Sequence, residues 1–453
     1  MQGEKAMLKL RKKQLTQIQT IAIGFLCIIF IGACLLTLPI ANRSGKFLNF
    51  IDALFTATSA SCVTGLVVAD TYQNWTIFGQ LVIITLIQIG GLGFMCIGVF
   101  FSVMLGRKIG LKERGILQES VNTLQIGGIV KLAKKIVYGT LLFEGIGAIL
   151  LSIRFIPVVG VLEGIYYGVF HSISAFCNAG FDLMGQFESY SSLVMFHDDW
   201  IVNVTIMSLI VIGGLGFIVW DDISKKKWQF KKYMLHSKIV LVTTAILILL
   251  GAILFFFLEK DNTMKDMSMT GKILSSFFAS VTPRTAGFNS IDVEAMHDSS
   301  KFLTVILMFI GGSPGSTAGG IKTTTFVVII VYIISTLKHT QGCNIFNRRL
   351  EDDAIKKASS VFCTNLFLAV TAAFIICGMQ MFPLEDVLLE VFSAMGTVGM
   401  STGLTRELNV ISKLIVIMLM YCGRIGSLTF ALSFTEHKTI VKIRQPVEKI
   451  NIG

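Results

Sequence analysis

One short pattern occurs four times along the 453 residues, and it limits the possible folds more than any other feature of the chain. Its copies are FTATSASCVTGL (Phe55 to Leu66), FHSISAFCNAGF (Phe170 to Phe181), FFASVTPRTAGF (Phe277 to Phe288) and LEVFSAMGTVGM (Leu389 to Met400). Each closes on a glycine followed by an apolar residue, and Gly65, Gly180, Gly287 and Gly399 stand 115, 107 and 112 residues apart. A second glycine pattern follows each copy: IGGLGF from Ile89, IGGLGF from Ile212, IGGSPGS from Ile310 and CGRIGS from Cys422. Its first glycine comes 25, 33, 24 and 24 residues after the glycine of the first pattern. Two patterns repeating in register predict four equivalent units.

The residues around the patterns say where those units sit. The chain is 53% hydrophobic and 15% charged. Apolar runs of about 20 residues, the length a helix needs to cross a bilayer core about 30 Å thick, begin near Ile18, Trp75, Ile136, Ile201, Ile239, Phe302, Phe362 and Ile411. The expected fold is an all-α integral membrane protein with eight transmembrane helices, arranged as four pseudo-fourfold helix–pore loop–helix repeats around one central pore. The repeats are expected at 1–130, 131–236, 237–358 and 359–453, the last including a carboxy-terminal tail.

A net charge of +11 raises the question of nucleic acid, and the location of the charges answers it. Of 39 Lys and Arg, 27 lie in the amino terminus (Lys5 to Lys13), three loops between units (Arg107 to Lys135, Lys225 to Lys238, Lys338 to Lys357) and the tail from Lys438. The rest of the chain holds more acids than bases. This is the positive-inside pattern of a multi-pass membrane protein, with the five basic segments and both termini in the cytoplasm. The acidic remainder gives the outer side a weak attraction for cations. The run from Ile18 to Leu38 is too long for the apolar region of a signal peptide and reads as the first crossing. Nine scattered Cys form no CxxC pair and no cluster with His, so neither a metal site nor a disulfide framework is expected.

In each unit the repeated pattern falls between two crossings, on a segment too short to cross. Asp52 to Ser61 would make a helix of about 15 Å at about 1.5 Å per residue. Unpaired backbone is costly in lipid, so such a half-helix and its return strand persist only when buried in protein or lining a water-filled cavity. Entering from the outer side, each half-helix aims the negative end of its dipole at the membrane centre. The residues before each glycine then turn outward, and their carbonyls can replace the water shell of a cation without formal charge. Glycine suits the turn because positive φ or close backbone approach is costly with a Cβ.

The segments VTGL, SAFCNAGF, TPRTAGF and TVGMSTG, with the loop GGSPGSTAGGIKTTT, resemble the Trk/Ktr/HKT superfamily of potassium transporters, most closely the membrane subunit of the Ktr system. The resemblance covers essentially the whole chain and is most specific in the third repeat, where Arg284 precedes Thr285, Ala286 and Gly287. It implies potassium uptake across a bacterial cell membrane by a homodimer, each monomer with its own pore. The filter residues would be Val63, Thr64 and Gly65; Asn178, Ala179 and Gly180; Thr285, Ala286 and Gly287; and Thr397, Val398 and Gly399, with potassium at their carbonyls. Within the superfamily a Ser at the first filter glycine marks sodium-favouring members, so Gly65 implies potassium. Only Thr397-Val398-Gly399 approaches the longer filter of true potassium channels, which implies looser selectivity. The resemblance also implies a cytoplasmic ring of RCK-type subunits that carries the regulatory nucleotide. Whether sodium or protons assist is left open.

The third copy of the second pattern interrupts its helix with Gly311, Gly312, Ser313, Pro314, Gly315, Ser316, Thr317, Ala318, Gly319 and Gly320. Irregular backbone at that depth should line a cavity, and the resemblance implies an intramembrane gate; a packed kink is the plainer alternative. It is no phosphate loop, because Ile321 separates Gly320 from Lys322. Arg424, midway along the last crossing, needs water or a partner. It either faces the pore as part of the gate, the favoured reading, or pairs with a buried acid, for which Glu144 is the candidate. The glycines Gly90, Gly91, Gly93, Gly213, Gly214 and Gly216 are expected to let helices approach closely. No triad, dyad or metal spacing surrounds His171 or Asp182, so no enzymatic role is expected of them. An ion-coupled symporter of a small organic solute is the competing function, disfavoured because such folds usually repeat in two halves.

Overall fold

The computed structural model describes residues 16–105, 109–121, 127–227, 229–340, 342–427, 446 and 448. The basic stretch Lys5 to Lys13, Arg107, Lys108 and most of the tail from Lys438 lie outside the described residues. Among the described residues, four helices are long and apolar enough to cross a membrane: Gln17–Thr37, Ile129–Val159, Leu235–Glu259 and Asp352–Met379, of 21, 31, 25 and 28 residues. Their most apolar stretches have mean hydropathies of 2.5, 1.9, 2.9 and 2.1, and no more than 39% of any such stretch is buried. Exposed Phe30, Ile31, Leu141, Leu142, Phe257, Phe367 and Phe374 form the lipid-facing surface that such a span requires. The first of these helices starts on a capping box, in which Thr16 Oγ1 accepts from Gln19 N and Gln19 Oε1 accepts from Thr16 N.

Each long helix leads into a short one: Phe50–Ser61, Val161–Phe176, Met269–Val281 and Leu384–Gly396. With 12, 16, 13 and 13 residues they are far shorter than the spans. At about 1.5 Å per residue they extend roughly 18–24 Å, short of a bilayer core of about 30 Å.

Two of the segments that follow the short helices differ from the continuous helices expected from Trp75 and Ile201. Ile77–Leu92 and Phe94–Met104 meet at 90°, and Trp200–Leu215 and Phe217–Lys226 meet at 93°. The hinges are Gly93 (φ 77°) and Gly216 (φ 97°), conformations that a side chain would strain. Asp298–Phe309 and Thr323–Leu337 are separated by a loop, and Val410–Ile425 ends on Gly426 with φ 99°. The second glycine pattern therefore serves two purposes. Gly93 and Gly216 turn the chain, a role not expected of them, and Gly216 also lets a backbone approach closely, since a Cβ there would meet Pro314 O. Gly90, Gly213 and Gly423 do bring backbones together, since a Cβ on each would strike the carbonyl oxygen of Ser61, Phe176 and Met395 near the inner ends of the short helices.

Candidate functional site

Two of the short helices are capped by a side chain at their N-termini, and three carry acids in the first turn. Asn49 Oδ1 accepts from Ile51 N at 3.1 Å and Ser268 Oγ from Gly271 N at 3.0 Å, while Asp52, Glu163, Glu385 and Asp386 occupy first turns. At the inner ends the chain reverses. Val63, Asn178, Thr285 and Thr397, each two residues before one of the four glycines, have φ of 58°, 60°, 74° and 51°. A left-handed conformation is uncommon without glycine and an outlier for β-branched Val and Thr. Hydrogen bonds then tie the following amides back to the short helices. Thr64 N donates to Ser59 O (2.8 Å), Ala179 N to Ser174 O (2.7 Å), Ala286 N to Thr282 O (2.9 Å) and Val398 N to Ser393 O (2.8 Å). Gly65 N and Gly399 N donate to the hydroxyls of Ser59 and Ser393 at 3.1 and 3.0 Å. With the amides thus engaged, the carbonyls of Thr64, Ala179, Ala286 and Val398 accept no hydrogen bond among the described residues.

Those four carbonyls converge. A Cβ on Gly65 would strike the carbonyl oxygen of Ala179, one on Gly180 that of Ala286, one on Gly287 that of Val398, and one on Gly399 that of Thr64, every contact under 3.0 Å. The succession returns to its start, so the four glycines form a closed ring in chain order. All four also have φ between 69° and 97°. Both reasons for glycine, conformation and approach, hold together here.

Outside the ring lies a cavity of about 380 Å³ lined by Gly65, Gly180, Gly287 and Gly399 at its base. Its walls carry Asp70, Asp182, Glu188, Asp292 and Glu294 against a single guanidinium, Arg406, which stacks on Tyr190 with its carbon 4.3 Å from the ring centre. Asp70 also joins the outer loops of two units: Oδ1 accepts from Tyr72 N and Gln73 N, and Oδ2 from Tyr190 N at 3.0 Å.

Inside the ring lies the loop from Gly311 to Gly320. Ser313 N donates to Gly214 O (3.0 Å), Thr317 N to Gly213 O (3.3 Å), and Thr317 Oγ1 to Phe176 O and Asn178 Oδ1 (both 3.2 Å). A Cβ on Gly319 would meet Thr397 Oγ1, so the loop touches the turns that follow two of the short helices. Arg424 donates to the carbonyls of Thr317 and Gly90, and to Gly91 O at 3.0 Å. Lys322 Nζ donates to Ala318 O (2.7 Å) and Gly319 O (3.2 Å). Glu144 is engaged elsewhere, accepting from Gln88 Nε2 at 3.1 Å and from the Cys177 thiol at 3.8 Å. Among the described residues Arg424 makes no ion pair, with Glu144 or any other acid.

A family model described as TrkH, cation transport protein, matches residues 9–443. The chain belongs to the TrkH cation transport family. Among relatives of this TrkH-family chain, the Ktr system potassium uptake protein B of Bacillus subtilis is 44% identical over 437 residues, 96% of each chain. The potassium/sodium uptake protein NtpJ of Enterococcus hirae is 42% identical over 449 residues, 98% of each. The crystal structure of the potassium transporter TrkH from Vibrio parahaemolyticus shares the fold, with a TM-score of 0.73 over 96% of this chain and 87% of that one at 18% identity.

Sequence reasoning named the residues of the ring, Val63, Asn178, Thr285 and Thr397 among them, but missed two things around this TrkH-family site: the left-handed backbone of those four residues and the carbonyl partners of Arg424. The first had a signal available, since each stands two positions before a repeated glycine. The second had none, because Arg424 reaches carbonyls 107 and 334 residues away in sequence.

Proposed function

We propose that the chain takes up potassium across the plasma membrane through one pore, with the four glycine turns as its selectivity filter. The observation that carries this reading is the closed ring of Gly65, Gly180, Gly287 and Gly399, each abutting the next unit's free carbonyl. Four pseudo-fourfold units of eight crossings fit that ring, because only a cyclic arrangement lets every short helix point its negative end at one place. Carbonyls unengaged with amides are suited to replacing the hydration shell of a monovalent cation. The filter then consists of Val63 to Gly65, Asn178 to Gly180, Thr285 to Gly287 and Thr397 to Gly399. Arg424 and residues 311–320 form the gate, held shut by bonds from the guanidinium to Thr317, Gly90 and Gly91.

Potassium uptake by the Bacillus relative supports potassium as substrate, and potassium/sodium uptake by the Enterococcus protein supports a sodium contribution. A homodimer, a cytoplasmic RCK-type ring carrying the nucleotide, and termini in the cytoplasm belong to the same proposal; the name of a Ktr system relative supports a partner subunit. Rubidium uptake into proteoliposomes, with competing potassium and sodium, tests the function. Uptake blocked by potassium but not by excess sodium is expected; uptake of a neutral amino acid or sugar with no rubidium flux overturns the pore reading in favour of a symporter.

A further inference from the structure

One position in the short helices, nine residues before the ring glycine, differs between units in a way the repeat does not explain. It holds Thr56, His171, Phe278 and Glu390 in the four units. His171 is fully buried, and Glu390 is 1% exposed. A polar group so buried is retained only with its hydrogen bonds made.

Both groups make those bonds to the strand that leaves the ring. His171 Nε2 accepts from Leu183 N at 3.2 Å, three residues after Gly180. Because Nε2 accepts, Nδ1 carries the proton and donates to Tyr167 O at 2.7 Å, so ring and helix are locked in one tautomer. Glu390 Oε2 accepts from Ser401 Oγ at 2.7 Å and Oε1 from Thr405 Oγ1 at 2.5 Å. Ser401 Oγ in turn accepts from Gly403 N at 3.0 Å. Among the described residues no cation pairs with Glu390, so its two oxygens serve the strand after Gly399.

The other two positions do not do this. Thr56 Oγ1 donates back to Asp52 O on its own helix at 2.9 Å, and Phe278 is an apolar core residue. The segment after Gly287 is held by the cap of its short helix, Thr282 Oγ1 donating to Phe288 O (2.6 Å), and by a neighbouring loop: Asn289 N donates to Ser192 Oγ (3.1 Å) and Leu193 N to Asn289 O (2.9 Å). In the ring order the second and fourth glycines stand opposite each other, so from this position of the short helix one diagonal is held well beyond its glycines, while the other is tied by its own short helices only at the ring itself, by Ser59 to Gly65 N and by Thr282 to Phe288 O.

We propose that His171 and Glu390 are positioning residues that fix the second and fourth filter segments and so set how far the ring can close around an ion. This rests on the pore reading above. A smaller ion such as sodium is satisfied only if the carbonyls move inward, and a clamped diagonal resists that movement. Neither residue touches the ion; each acts through the strand it holds.

The test is potassium against sodium flux in proteoliposomes for wild type, Glu390→Leu, Glu390→Gln, Ser401→Ala, His171→Phe and Thr56→Val. Each protein is required to elute as wild type does. Losing a buried hydrogen-bonded partner should lower the potassium-to-sodium ratio of kcat/KM by about tenfold in Glu390→Leu and His171→Phe. Glu390→Gln should restore most of it, since an amide can accept from one hydroxyl and donate to the other. Thr56→Val should leave the ratio unchanged. If Glu390→Leu does not fold, Ser401→Ala reads the same clamp from the other side and should shift the ratio in the same direction. Wild-type ratios in folded Ser401→Ala and His171→Phe, or an equal shift in Thr56→Val, overturn the inference alone. Absence of potassium-selective flux in wild type overturns the pore reading beneath it.

Discussion

The two faces of the glycine ring are built on opposite electrostatic plans. Outside, five carboxylates and one guanidinium line an open cavity of about 380 Å³. Inside, Arg424 and Lys322 lie against the loop with their donors spent on backbone carbonyls, and among the described residues neither has an acid to pair with. On the proposed pore reading the cavity side needs only net charge, to raise the local concentration of cations, and the loop side uses individual hydrogen bonds, because a gate must be able to open. The ring between them uses neither, and relies on backbone oxygens that no charged side chain could place so closely. The largest effects should therefore come from the ring, smaller ones from the loop and the smallest from the mouth.

Substituting a ring glycine is the most severe way to break that ordering. In Gly399→Ser the new Cβ would strike Thr64 O and lie 2.8 Å from Gly65 Cα, with φ at 97° adding backbone strain. Overpacking costs about 1–3 kcal/mol, which corresponds to a loss of roughly 5- to 150-fold in potassium-selective flux. Rubidium uptake with sodium competition measures it. Selectivity and flux equal to wild type would mean that the ring is not the filter.

Arg424→Gln separates barrier from scaffold on the inner face. It removes a charge and most of the three carbonyl bonds that join the loop to Gly90 and Gly91. Bonds from charged donors contribute about 1.5–3 kcal/mol each before water replaces them, so a rise in flux of about tenfold is expected. Unchanged flux with loss of the folded protein would give Arg424 a structural role instead. Thr317→Val is the milder form. It deletes the hydroxyl bonds to Phe176 O and Asn178 Oδ1, both 3.2 Å, and leaves the charge in place. At about 1 kcal/mol the flux should rise roughly three- to fivefold.

The contrast also explains which parts of this molecule were legible in its sequence. The ring was, because its glycines recur in register and because the physical demand on them, positive φ with close approach, has one residue type as its answer. The membrane setting was, because lipid imposes length and polarity on every span. The bends at Gly93 and Gly216 were not: the same glycines that permit helix packing permit a 90° turn, and hydropathy continues through both. Val63 and Thr397 were hidden for the opposite reason, since a β-branched residue argues against the left-handed conformation it adopts. Their strain persists because the turn is over-determined by the short helix on one side and the closed ring on the other. Arg424 was recognised as anomalous from its depth alone, yet Glu144, the acid that composition offered as partner, is bound to Gln88 and Cys177.

The mouth gives the smallest and most condition-dependent effect. Asp292 and Glu294 both line the cavity, and Asp292 Oδ1 accepts from Glu294 N at 3.0 Å, a bond that asparagine can retain. The double substitution Asp292→Asn with Glu294→Gln therefore removes two charges while leaving the loop intact. A steering field acts on the approach of the ion, so the apparent KM for potassium should rise, about twofold, with kcat unchanged. The difference should be greatest near 0.01 M ionic strength, where charges act over about 30 Å, and vanish near 1 M, where the range is about 3 Å. A shift that survives high salt would instead mean that one of these carboxylates contacts the ion directly, and the division of labour between the two faces of the ring would have to be redrawn.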